Sequence, residues 1–87
     1  MSKARRTSSA IFEVPTRSDV RWADVVSLFD KLGAVLSTGS GSRVRVLLNG
    51  VRAVFHRPHP RPVTDRGAVK SVRYFLENAG ITETHHV

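Results

Sequence analysis

The stretch RVRVLLNGVRAVFHRPH, residues 43–59, decides the fold. Its centre is Asn49-Gly50, a pair that favours a two-residue type I′ turn because both central residues need positive φ. A hairpin closed there pairs Leu48 with Val51, and the ladder runs outward through 47 with 52, 46 with 53, 45 with 54, 44 with 55 and 43 with 56. Successive side chains alternate between faces. Val44, Val46, Leu48, Val51, Ala53 and Phe55 therefore share one face, and Arg43, Arg45, Leu47, Arg52, Val54 and His56 share the other. The first is a core face; the second is a basic platform that carries a histidine.

Upstream, Trp22, Val25, Val26, Phe29 and Leu32 recur at steps of three and four, which predicts an amphipathic helix from about Arg21. Ser18 or Asp19 is the expected N-cap and Gly33 the expected stop. Residues 34–38 then read as a short strand, and Gly39-Ser40-Gly41-Ser42 as a flexible connection into the hairpin, giving a three-stranded antiparallel meander. After the hairpin, Pro58, Pro60 and Pro62 remove backbone donors, so the chain should leave the ladder and cross the sheet edge. Asp65 or Thr64 can cap a second helix with Val69, Val72, Phe75, Leu76 and Ala79 on its apolar side and Gly80 at its end. Residues 1–19 are polar and basic. Ala4, Ser8, Ile11 and Phe12 fall on one side of a short helix there, the alternative being a frayed arm.

The expected fold class is α+β, an α-β-β-β-α two-layer sandwich with a three-stranded antiparallel sheet and two helices on one face. The expected division is a basic N-terminal arm over 1–19, a folded domain over 20–82 and a tail over 83–87. A chain of 87 residues buries only about 60% of its unfolded surface, so every apolar stripe has to point at one core.

Composition narrows the function. Lys+Arg is 14 against 7 Asp+Glu, a formal charge of +7, and most of the excess is arginine, whose planar fork suits phosphate. Arg43, Arg45 and Arg52 converge on one strand face and Arg57 and Arg61 continue from its end, which points to nucleic acid rather than to solubility alone. The chain has no cysteine, so disulfides, thiolate nucleophiles and thiolate metal sites are excluded. His56 with His59 lacks a nearby acidic ligand, so no metal site is expected. The apolar runs fall far short of the ~20 residues that span a bilayer, and no apolar segment of signal-peptide length follows the basic N-terminus. The expectation is a soluble, cytoplasmic protein with no membrane partner.

The order of helix with Leu32-Gly33, strand, Gly39-Ser40-Gly41-Ser42, hairpin around Asn49-Gly50, His59-Pro60, helix and Leu76 to Gly80-Ile81 resembles the HicA (YcfA-like) toxins of type II toxin–antitoxin systems. The resemblance runs from about Trp22 to Ile81. It implies a fold like that of double-stranded-RNA-binding domains, mRNA interferase (endoribonuclease) activity, and neutralisation by a HicB-like antitoxin. The family's histidine usually stands in a Gly-Ser-x-His step, and Ser42 holds that place here. Serine does not titrate near neutral pH, so it cannot be the general base by itself.

Metal-independent RNA cleavage needs a base for the 2′-hydroxyl proton, an acid for the departing 5′-oxygen, and cations for the phosphoryl oxygens; it needs no cofactor. His59 matches the family's His-Pro position, and register sets His56 beside Arg43. These two are the candidate acid–base pair, with Ser42 the third catalytic position. Arg43, Arg45, Arg52, Arg57, Arg61 and Ser40 are the candidate RNA-binding residues. Two other readings stand beside an mRNA-cleaving toxin: an RNA-binding module without catalysis, and a protein whose basic face docks an acidic antitoxin.

Overall fold

The structure, a computed structural model, describes residues 2–58 and 62–82. His59, Pro60 and Arg61, all weighed above, and the expected tail over 83–87 lie outside the described residues. The element order is α1 (Lys3–Phe12), β1 (Val20–Arg21), α2 (Trp22–Lys31), β2 (Val35–Thr38), β3 (Arg43–Leu48), β4 (Val51–His56), β5 (Val63–Thr64) and α3 (Arg66–Asn78). The expected α-β-β-β-α core is present as α2-β2-β3-β4-α3, with the antiparallel sheet in the order β2-β3-β4.

Asn49 (φ 50°) and Gly50 (φ 80°) both take the positive φ of a type I′ turn. The ladder follows the turn: Leu48 opposite Val51, Val46 opposite Ala53, Val44 opposite Phe55 and Arg43 opposite His56. Val44, Val46, Leu48 and Phe55 are buried, while every residue of the opposite face of the hairpin is exposed. Asn49 adds a long-range contact, its Nδ2 donating to the Ala79 carbonyl at 2.8 Å. The β2–β3 connection is a hydrogen-bonded turn rather than the flexible link expected. Gly39 N–H donates to the Arg43 carbonyl at 2.9 Å, and Gly41 supplies the positive φ of 66°.

The helices bury their stripes against the inner sheet face. Phe29 of α2, Phe55 of β4 and Phe75 of α3 meet with each pair of ring centroids 5.7 Å apart, and Trp22 stands 6.4 Å from Phe55. In α2 the fully buried residues are Val25, Leu28 and Phe29, with Val26 and Leu32 only partly covered. The stripe is rotated toward Leu28 because α2 is packed on two sides, by β2 and by α1. Both α2 and α3 end in a Schellman motif. Gly33 and Gly80 take positive φ while Ala34 N–H bonds the Phe29 carbonyl and Ile81 N–H the Leu76 carbonyl.

The N-terminus of α2 differs from expectation. Neither Ser18 nor Asp19 caps it; Arg21 is the cap residue and offers no side-chain bond. Val20 and Arg21 are drawn into a two-residue ladder with Thr64 and Val63, and Trp22 N–H donates to the Pro62 carbonyl at 3.0 Å. Asp19 is engaged elsewhere, accepting from Arg17 Nε at 2.8 Å and Nη2 at 2.7 Å. That bidentate bond holds its carboxyl below the usual carboxylate range. At α3 the cap is Asp65, whose Oδ1 accepts from Ala68 N–H at 2.8 Å.

Residues 3–12 form α1, capped by Ser2, whose Oγ accepts from Arg5 N–H at 3.1 Å. This helix packs on α2 and α3. Ile11 is 0% exposed, and Thr7 and Ser8 are buried beside it, the Thr7 hydroxyl donating to the Lys3 carbonyl at 3.0 Å.

A buried isoleucine that joins α1 to the core should be costly to truncate. Ile11→Ala is expected to lower unfolding free energy by ~2–5 kcal/mol, read as a lower urea midpoint with an unchanged slope; an unchanged midpoint would mean that α1 contributes nothing to the folded unit.

Candidate nucleic-acid interface

The outer face of the sheet is a grid with one position from each strand in every row. Ladder pairing places Val35, Leu47 and Arg52 in one row and Ser37, Arg45 and Val54 in the next. The bond from Gly39 N–H to the Arg43 carbonyl continues the pattern to Gly39, Arg43 and His56. Among the described residues no acidic side chain belongs to this face.

The grid is not uniformly basic. Val35 is 63% and Val54 53% exposed, and Leu47 is also open to solvent, so a shallow apolar strip runs between the arginines. A Cβ built on Gly39 would stand 3.3 Å from Arg43 Cβ and 3.8 Å from the Arg45 guanidinium carbon. Glycine at this point leaves room for Arg45 to extend along the face toward the β2–β3 turn.

Among the described residues, the side chains of Arg43, Arg45, Arg52 and Arg57 make no ion pair and no hydrogen bond. Several cations elsewhere are used internally, although Arg5, Arg21, Lys31 and Lys70 also make no side-chain bond among the described residues. Lys3 pairs with Asp24 at 3.0 Å, Arg17 with Glu13 and Asp19, and Arg66 and Arg73 bond the Thr16 carbonyl and hydroxyl. The sheet-face arginines thus keep all their donors for a partner, in the fork geometry that suits phosphate.

Ser42 and Arg57 lie beyond the last strand pair. Arg57 N–H donates to the Ser42 carbonyl at 2.8 Å, so the ladder gains one further pair before Pro58 ends it. Alternation turns these two side chains to the helix side of the sheet, opposite to His56. Together with Gly41 and Pro58 they line a small recess at the sheet's end. Ser40 is exposed in the turn, its carbonyl accepting from Arg43 N–H at 3.4 Å. The structure therefore brings Arg43, Arg45, Arg52 and His56 onto one face and sets Ser42 with Arg57 around the edge from them.

Sequence reasoning missed the contribution of β2. Its alternation alone carried the signal, and Val35 and Ser37 could have been assigned to the outer face once the strand was paired. It also missed a cleft of about 320 Å³ between the end of β4 and the first turns of α3, lined by Trp22, Phe55, Pro58, Thr64 and Ala68 among others. No local signal marks that cleft, because its walls come from distant parts of the chain. Among the described residues no cluster of histidines and carboxylates could hold a metal ion. None of their helices is long and apolar enough to cross a membrane.

No curated protein and no solved structure matches the chain significantly. The family model described as HicA toxin of bacterial toxin-antitoxin matches residues 22–81, from the first residue of α2 to the buried Ile81 beyond α3. With that match covering well over half of its length, the chain belongs to the HicA toxin family of bacterial toxin–antitoxin systems.

Proposed function

We propose that this protein is an RNA-cleaving toxin, an endoribonuclease acting on mRNA, held inactive by a HicB-type antitoxin. The observation that carries the reading is the group of arginines around His56 that have no side-chain partner among the described residues, on a sheet face to which no described acidic residue belongs, in a chain of the HicA toxin family. Arg43, Arg45 and Arg52 would track the phosphates, with Arg57 and Arg61 continuing from the end of β4 and Ser40 donating from the turn.

In the reaction, one imidazole takes the proton of the 2′-hydroxyl as its oxygen attacks phosphorus. The P–O5′ bond breaks and the second imidazole protonates the departing oxygen. His56 and His59 take these roles in the proposal. His56 stands opposite Arg43, so a phosphoryl group on that arginine lies beside an imidazole. The arginines stabilise the charge that develops on the non-bridging oxygens. Ser42, on the other side of the ladder, is left as a hydrogen-bond donor.

A second reading is favoured by one observation: Ser42 occupies the place where the family usually carries histidine. On that reading the chain binds RNA or its antitoxin without turning RNA over. The exposed Val35, Leu47 and Val54 suit contact with a protein surface better than contact with phosphate.

Two expectations separate these readings. Affinity for RNA should fall steeply with salt, and Arg45→Ala or Arg52→Ala should weaken binding and reduce the salt slope by about one charge each. Fluorescence anisotropy across a salt series measures this; salt-insensitive binding, or none at low salt, points to protein docking alone. His56→Ala and His59→Ala should each abolish cleavage in vitro and toxicity in cells with the fold retained, whereas Ser42→Ala should cost little. Wild-type cleavage should survive EDTA and show a bell-shaped pH profile, because one imidazole must be neutral and the other protonated. Full activity in both histidine variants, or RNA binding without cleavage by the antitoxin-free wild type, would support the non-catalytic reading.

A further inference from the structure

We infer that the cleft beneath the end of β4 is a pocket for one unstacked base of a single-stranded RNA. The inference rests on the RNA-binding reading above and adds where a base goes while the phosphates stay on the arginines.

The cleft and the basic face share a rim. β4 is an edge strand of the sheet, and its Val54 and His56 belong to the outer grid and also line the cleft. A strand lying along the arginines therefore reaches the mouth of the cleft at His56 and Arg57. A base turned over the edge of β4 enters it with its own phosphate still beside Arg57.

The walls have the chemistry of a base site. Trp22, Phe55, Pro58 and Ala68 supply apolar surface, and at about 320 Å³ the cleft reaches the lower end of the size range of small-molecule sites. Trp22 lines the cleft and packs against Phe55, and base stacking on an indole is the contact that the proposal assigns to it. Thr64 also belongs to the lining. Its hydroxyl is the buried side-chain polar atom that has no hydrogen-bond partner among the described residues, although the residue is only 1% exposed. A buried hydroxyl without a partner is uncommon, and the polar edge of a base would supply one once the lining yields around Thr64, whose hydroxyl is closed to solvent. At the mouth, His56 and Arg57 are exposed and Ser71 lies on α3.

Trp22 is the single tryptophan of the chain, so its emission reports on the cleft directly. The test titrates the full-length protein with a short 2′-O-methyl oligoadenylate, which resists cleavage by 2′-hydroxyl attack, and with an abasic sugar–phosphate strand of the same length. The oligoadenylate is expected to quench Trp22 and to bind roughly tenfold more tightly than the abasic strand, with equal salt slopes for the two. Ala68→Leu, which fills the cleft from the first turn of α3, is expected to remove the quenching and most of that tenfold difference. If both strands bind equally with the same salt slope and Trp22 does not respond, the base pocket is wrong and RNA binding through the arginines still stands. If neither strand binds at low salt, the RNA-binding reading falls and the pocket falls with it. The abasic comparison needs no variant, so the outcome does not depend on Ala68→Leu folding.

Discussion

Phe55 is the point at which sheet and helices become one body. Its ring meets Phe29 from α2 and Phe75 from α3, each at 5.7 Å, and those two also meet each other. Aromatic contacts of this kind add ~0.5–1.5 kcal/mol per pair beyond the burial of the rings. The cluster forms only if position 55 faces inward, and that parity is set by the Asn49-Gly50 turn. A slip of one residue would send His56 into the core and Phe55 into water. The same constraint therefore assembles the core and lays out Arg43, Arg45 and Arg52 on the far side of the sheet.

The three described helices lie on one side of the sheet, so among the described residues nothing covers the outer face. Its aliphatic residues, Val35, Leu47 and Val54, alternate with cations whose guanidinium groups have no partner among the described residues. Such a surface can bind a phosphate polymer through its charges, and exclude water from an apolar patch on a protein. Both properties suit the function proposed above, in which the chain meets RNA and an antitoxin.

What the sequence disclosed followed from how local each cause was. The hairpin was legible because turn chemistry and alternation lie in one contiguous stretch, and α3 because Asp65 and Gly80 mark its ends. The start of α2 was not legible. It is set by the β1–β5 ladder, two residues pairing with two across more than forty positions, which no periodicity reveals. The character of α1 was hidden by composition, since its buried side includes Thr7 and Ser8 as well as Ile11. The division followed the same line in the site. The arginines and His56 could be placed by register, whereas the cleft that joins Trp22, Phe55, Thr64 and Ala68 exists only after the chain has closed on itself.

Asn49 does more than shape its turn. By donating to the Ala79 carbonyl at 2.8 Å it fastens the tip of the hairpin to the last turn of α3. Strand β2 flanks the hairpin as far as Leu47, and the bond from Asn49 adds an anchor at the tip itself. The hairpin is a plate pinned at the far end from His56, with the Phe55 contacts holding it near the other. The distance between its arginines is thus a property of a braced object, and a flexible polymer that binds across it has to conform to that spacing.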